Sequence, residues 1–211
     1  NDLDLGKRGN LASIANAAGH LTSITVYNIH RQPLTIVEPN GLTTTLTYDV
    51  RQRLKTRTVG SETTTYDYDG VGQLTKVTLP DGSFLSYSYD DAHRLTAITD
   101  NLGNRVVYTL DLLGNRIGEQ VFDPTNQLAQ TRGRVFNNLS RLFQELGAQS
   151  QTTEYIYDDQ GNVITVKDPL NRITTNQYDA LNRLKQVTSP APISAVTQYS
   201  YNALDALVQV T

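Results

Sequence analysis

All twelve tyrosines of this 211-residue chain fall on one repeating lattice. Taking Leu5, Tyr27, Tyr48, Tyr68, Tyr89, Leu110, Phe136, Tyr157, Tyr178 and Tyr201 as anchors, the successive spacings are 22, 21, 20, 21, 21, 26, 21, 21 and 23 residues. The remaining tyrosines, Tyr66, Tyr87, Tyr108, Tyr155 and Tyr199, each stand two residues before an anchor. That interval puts two side chains on one face of a strand. A period near 21 therefore makes the chain a tandem array of about ten small units, in which each unit packs mainly on its neighbours.

One unit shows the grammar. Tyr155-Ile156-Tyr157 ends a strand and runs into Asp158, and the same phase carries Asp49, Asp69, Asp90, Asp111 and Asp179, with Asn28, Asn137 and Asn202. These side chains accept hydrogen bonds from backbone N–H groups two or more residues on, which makes them turn formers. Four residues past the anchor stand Gly9, Gly72, Gly114 and Gly161, replaced elsewhere by His93, Ser140, Asn182 and Asp205. Gly, Asn and Asp share a position where φ is positive, so His93 reads as a turn residue.

A strand rich in Val, Ile and Thr follows, starting at residues such as Leu54, Leu74, Leu95, Val163 and Leu184. A second turn then closes the unit, at Pro39-Asn40-Gly41, Pro80-Asp81-Gly82, Asn101-Leu102-Gly103, Asp123-Pro124, Asp168-Pro169 and Ser189-Pro190. Each unit is a hairpin of two short strands. Along the second strand Leu85, Tyr87 and Tyr89 alternate with Phe84, Ser86 and Ser88, as in a sheet with two unlike faces. On the first strand the apolar residues are three apart, as in Leu74 and Val77 or Leu95 and Ile98, which leaves two readings: a bulge that re-phases the strand, or a strand covered on both faces. The 26-residue spacing and the weak unit at residues 136–142 mark a degenerate or inserted region near residues 118–150.

A lone hairpin of this size is marginal, so the units are expected to pair edge to edge into a continuous, curved or spiralling sheet. Open edges of such a sheet are expected to self-associate. The 18 basic and 21 acidic residues give a net charge of -3 without blocks of one sign, which argues against a nucleic-acid partner. No apolar run is long enough for a membrane-spanning helix. The chain has no cysteine or methionine, begins at Asn1 and stops at Thr211 where earlier units carry a turn, so it reads as a fragment of a longer protein.

The pattern Tyr-x-Tyr-Asp-x-x-Gly-Arg-Leu followed by a Pro-x-Gly turn resembles the tyrosine-aspartate (YD) repeat of rearrangement-hotspot (Rhs) proteins, also found in the B and C components of Tc toxins and in teneurins. Its closest copies are Tyr87-Ser88-Tyr89-Asp90-Asp91-Ala92-His93-Arg94-Leu95 and Tyr178-Asp179-Ala180-Leu181-Asn182-Arg183-Leu184. The resemblance covers residues 5–211 and implies an all-β partial shell or barrel wall, 1–211 as a single array. In bacterial members such a shell encloses a C-terminal toxin domain of a secreted or delivered protein. The implied partners are intramolecular toxin cargo and neighbouring repeats. The alternative is a teneurin-like adhesion module that recognises a glycan or cell-surface protein through an exposed face or through the irregular region around residues 118–150.

The chemistry that could compete with a scaffold is sparse. His20, His30 and His93 lie at turn phases without paired metal-ligand spacing. The carboxylates are periodic, whereas a glycosidase needs one unmatched pair. Asp67-Tyr68-Asp69-Gly70 opens like a calcium loop but has Thr78 where the closing Glu belongs. Asn138-Leu139-Ser140 fits a glycosylation acceptor. The autoproteolytic segment that ends bacterial shells has no match, and Asp168-Pro169-Leu170 reads as an ordinary turn. No catalytic, cofactor or metal residue is assigned, and the residues expected to matter are the structural anchors Tyr27, Tyr48, Tyr68, Tyr89, Tyr157, Tyr178 and Tyr201.

Overall fold

The computed structural model describes residues 9–211, so the Leu5 anchor lies outside the described residues. Within them every regular element is a β-strand. The chain divides into two compact units, Asn1–Gly103 and Asn104–Thr211. The first holds β1 (Ser13–Ala15), β2 (Leu21–Tyr27), β3 (Pro33–Val37), β4 (Thr43–Tyr48), β5 (Leu54–Val59), β6 (Glu62–Tyr68), β7 (Leu74–Thr78), β8 (Phe84–Tyr89) and β9 (Leu95–Asp100). The second holds β10 (Arg105–Leu110), β11 (Arg116–Phe122), β12 (Leu128–Phe136), β13 (Leu142–Leu146), β14 (Thr152–Tyr157), β15 (Val163–Lys167), β16 (Ile173–Tyr178), β17 (Leu184–Thr188), β18 (Val196–Tyr201) and β19 (Leu207–Val210).

Inside each unit every strand pairs antiparallel with the next in sequence. Short turns dictate this meander. In Asp49–Arg53 the Asp49 N–H donates to the Arg53 carbonyl at 2.9 Å, and the Gln52 N–H donates to the Asp49 carbonyl at 2.9 Å. Gln52 sits at φ 64. This is the three-residue hairpin loop that ends in a left-handed residue. The same bonds recur at Asp69–Gln73, Asp90–Arg94 and Asp179–Arg183, and at the opposite strand ends in Glu38–Leu42, Leu79–Ser83 and Asp168–Arg172. The left-handed position is held by Gly72, His93, Gly161, Asn171 and Asn182, as their residue types imply, but also by Arg31 and Gln52, where the closed turn overrides a side-chain preference.

The three-residue apolar spacing comes from a β-bulge. Tyr68 opposes Leu74 and Tyr66 opposes Val77, with the register shifting between Asp67 and Tyr68. Tyr89 and Tyr87 oppose Leu95 and Ile98 in the same way. The extra residue, Thr75 or Thr96, lets Leu and Val stand three apart in sequence yet share the tyrosine face. Each such pair contributes on the order of 0.2–1 kcal/mol.

Across β4 to β7 the reverse face is polar. Thr47, Thr56, Thr65 and Thr78 follow one another across β4, β5, β6 and β7, and Thr47 and Thr56 hydroxyls lie 2.6 Å apart. Among the described residues no apolar side chain is buried, and Thr44, at 7% exposure, is the one buried polar residue. Within each unit the strands form a single layer whose order rests on its ladders, its turns and the side chains that join one hairpin to the next.

Candidate functional site at the seam between hairpins

The joining side chains converge where each tyrosine-bearing strand enters its turn. Asp49 uses Oδ1 to accept the N–H groups of Arg51 and Arg53, at 2.8 and 3.0 Å, and Oδ2 to accept the Arg53 guanidinium at 2.7 Å. Arg53 also reaches into the next turn, donating from Nη1 to the Asp69 carbonyl at 3.2 Å. Its guanidinium carbon lies 4.5 Å from the centroid of the Tyr68 ring. Tyr68 in turn donates its hydroxyl to the Leu54 carbonyl at 2.9 Å, next to Arg53 in the chain. One arginine thus ties its own turn, the following turn and the following tyrosine into a closed circuit.

That circuit repeats. Arg183 pairs with Asp179 at 2.7 Å and with Asp205 of the next turn at 2.7 Å, and stacks over Tyr201 at 4.7 Å. Arg141 donates to the Asp158 carbonyl at 3.1 Å and lies over Tyr157 at 5.8 Å. Where the position carries an amide, the reach persists: Gln32 to the Gln52 carbonyl at 2.8 Å, Gln73 to the His93 carbonyl at 3.0 Å, and Asn162 to Asn182 at 2.9 Å.

All seven anchor tyrosines take part. Tyr27, Tyr48, Tyr68, Tyr89, Tyr157, Tyr178 and Tyr201 donate their hydroxyls to the carbonyls of Leu11, Pro33, Leu54, Leu74, Leu142, Val163 and Leu184, at 2.5 to 3.1 Å. Each bond spans 14 to 17 residues, from one repeat to the one before it. Desolvation pushes the phenols of Tyr48, Tyr68, Tyr89 and Tyr157 above their ordinary ionisation range, which keeps them donors.

The turn aspartates shift the other way. The backbone N–H of Arg53 holds the Asp49 carboxyl below its usual range, and that of Arg94 does the same for Asp90. Side-chain donors lead at Asp111, Asp158 and Asp179, from Asn115, Asn162 and Arg183. A general acid at neutral pH needs the opposite shift.

The other candidate residues are dispersed. Asp67 lies in β6 opposite Lys76, while Asp69 Oδ1 is occupied by the N–H groups of Val71, Gly72 and Gln73, at 2.7 to 3.0 Å. His93 sits at φ 63 against Gln73, and His20 lies against Asn16. Among the described residues no three His, Cys, Asp or Glu side chains gather into a metal-binding group. Asn138 is exposed at the tip of the turn that follows β12. Asp168–Arg172 is a turn of the common type, its Oδ1 accepting the Leu170 and Arg172 N–H groups at 2.9 Å.

The residue at the turn's close carries a role that the tyrosine lattice does not announce. Its signal is present in the sequence: five residues past the anchor stand Gln32, Arg53, Gln73, Arg94, Asn115, Arg141, Asn162 and Arg183 in turn, each a polar side chain with an N–H donor. Periodic polarity at a turn is ordinarily a solvated surface, so its contacts with the next hairpin become visible only in three dimensions.

A meander of short hairpins, stitched by recurrent tyrosines and turn-closing donors, defines a tandem β-hairpin repeat protein. The chain belongs to the Teneurin YD-shell family, whose profile matches residues 7–211. No curated protein matches the sequence. Among solved structures it is similar to a crystal structure of TcdB2-TccC3-Cdc42, with 14% identity and a TM-score of 0.74 over 90% of this chain and 12% of that one. A crystal structure of TcdB2-TccC3 without its hypervariable C-terminal region gives 15% identity and the same TM-score and coverage. The Photorhabdus luminescens Tc holotoxin pore gives 16% identity and a TM-score of 0.59, over 90% of this chain and 13% of that one. At these identities the likeness is one of fold, and the chain spans about an eighth of the length of the structures it matches.

Proposed function

We propose that this chain is a length of non-catalytic shell wall, one run of about ten units in a larger secreted or delivered protein, whose shell encloses a C-terminal toxin domain. The observation that carries the reading is the seam: the same tyrosine, aspartate and turn-closing donor recur in successive hairpins, and the resulting contacts join repeats to one another. A wall needs that translational sameness, whereas an active site needs one place unlike the rest. The match to the Teneurin YD-shell family and the fold likeness to a protein described as having a hypervariable C-terminal region support the same reading. The seven anchor tyrosines are then structural, the partners are the enclosed domain and adjoining repeats, and free sheet edges are where copies would associate.

Limited proteolysis of the full-length parent tests this. Enclosure predicts that a C-terminal domain resists protease while the shell is intact and becomes cleavable when the shell is unfolded by denaturant. Equal cleavage in both states would remove the enclosing role.

A second reading, an extracellular adhesion module, draws on the teneurin name of the family and on residues 118–150. There the tyrosine face carries Glu119 opposite Arg132 and Arg134 opposite Glu145 in place of apolar pairs. Saturable binding of a glycan or cell-surface protein, lost when these four residues are replaced, would favour it over the shell.

A further inference from the structure

Pro39-Asn40-Gly41 holds the one Asn-Gly step in the chain; every other asparagine precedes a residue with a side chain. It lies in the loop joining β3 to β4, with both Asn40 and Gly41 exposed. Gly41 is at φ 82, and a Cβ there would meet nothing within 4 Å. The Gly41 N–H donates to the Glu38 carbonyl at 2.9 Å, and Asn40 Oδ1 accepts the Leu42 N–H at 3.0 Å. Asparagines in the turns that follow the anchors are held more firmly: Asn28, Asn137 and Asn202 each accept two backbone N–H groups through Oδ1.

We infer that Asn40 is a self-modification site, which converts to aspartate and isoaspartate with loss of ammonia, the isoaspartyl form unlatching the β3–β4 hairpin. The attacking atom is the Gly41 backbone nitrogen, and the electrophile is Cγ of Asn40. A bond forms between them, the nitrogen's proton and the side-chain amide depart as ammonia, and a five-membered succinimide closes. Water then adds to one of its two carbonyls. Opening on one side leaves aspartate, and opening on the other leaves isoaspartate with one more methylene in the main chain. Water is the only co-reactant. Glycine favours the step because no side chain shields its nitrogen and the backbone rotates freely to bring it to Cγ.

The two products have unequal consequences. The aspartyl form reproduces a turn already in the chain: in Leu79–Ser83, Pro80-Asp81-Gly82 closes with Gly82 at φ 85 and Asp81 Oδ1 accepting the Ser83 N–H at 2.9 Å. The isoaspartyl form lengthens the loop. Glu38 and Leu42 then lose the geometry of their 2.9 Å bond, and the adjoining pair Val37 and Thr43 loses its register.

Tryptic mapping of the intact protein after incubation in mildly alkaline buffer tests this. Cleavage after Arg31 and Arg51 gives a peptide, residues 32–51, in which Asn40 is the only asparagine. This peptide is expected to gain the mass of an NH2-to-OH exchange several-fold faster than any other asparagine-containing peptide, and to split into aspartyl and isoaspartyl forms. Amide protection at Ile36 and Thr44, the hydrogen-bonded pair next to the loop, is expected to persist in Asn40→Asp protein and to fall in the isoaspartyl fraction. A first mass gain at any other asparagine, no gain anywhere, or unchanged protection in the isoaspartyl fraction overturns the inference.

Discussion

The strand pairs β13–β14 and β11–β12 lie in the same unit and solve the same problem differently. In β13–β14 the strands are 5 and 6 residues long, the anchor that ends β14 is Tyr157, and its hydroxyl reaches the preceding repeat at the Leu142 carbonyl, 2.6 Å away. In β11–β12 the strands are 7 and 9 residues long, and the anchor that ends β12 is Phe136, which has no hydroxyl to donate. The 26-residue spacing is thus extra strand, with a loop of ordinary size at Asp123–Gln127. Longer ladders replace the missing stitch, and charged pairs such as Glu119 opposite Arg132 stand where tyrosine and leucine do elsewhere. Pairing length and the seam are thus two means by which neighbouring hairpins are held.

The contrast breaks most visibly on deleting the anchors. Tyr157→Ala removes the ring under Arg141 as well as the bond to Leu142, and is expected to cost about 2–3 kcal/mol in urea unfolding, below the range for fully buried aromatics because the ring is half-buried. Phe136→Ala should cost less; an equal or larger loss would show that ladder length does not compensate. Arg53→Ala, which deletes the stack on Tyr68 and the bond to the Asp69 carbonyl, should cost about 1–2 kcal/mol by the same measurement. The finer exchange is between hydroxyls. Tyr157→Phe is expected to lose about 1 kcal/mol, and Phe136→Tyr to gain about 0.5–1 kcal/mol by donating to the Arg116 carbonyl at the start of β11, the equivalent of Leu142 at the start of β13.

Titration gives a broader effect. Asp49, Asp90, Asp111, Asp158 and Asp179 ionise more readily folded than unfolded. Their stabilisation is complete above the unfolded value of about 3.9 and disappears as pH falls through the lower folded values. Tyr48, Tyr68, Tyr89 and Tyr157 ionise less readily folded, so their share is intact below about pH 10 and is lost as pH rises through the higher folded values. Thermal unfolding across pH should show both flanks, and Asp179→Asn should flatten the acid one.

The strands, both rows of turns and most left-handed positions are legible in the sequence, because local chemistry recurs with one period and each recurrence tests the last; Arg31 and Gln52 are not, since their residue types do not mark a positive φ. The bulge is half legible: Leu74 and Val77 show that strict alternation fails, but only the register Tyr68 to Leu74 and Tyr66 to Val77 separates a bulge from a strand covered twice. The seam is the least legible. Arg53, Gln73 and Asn162 share a phase but no side-chain type, and their partners are main-chain carbonyls or turn side chains of the next repeat, which a sequence does not mark.

The central claim, that arginine and tyrosine act together across repeats, is tested most directly by a double-mutant cycle on Arg53 and Tyr68. Unfolding free energies of Arg53→Ala, Tyr68→Ala and the double variant should reveal a coupling of about 1 kcal/mol. Strict additivity would contradict the claim, since it would mean that the two side chains merely lie beside each other.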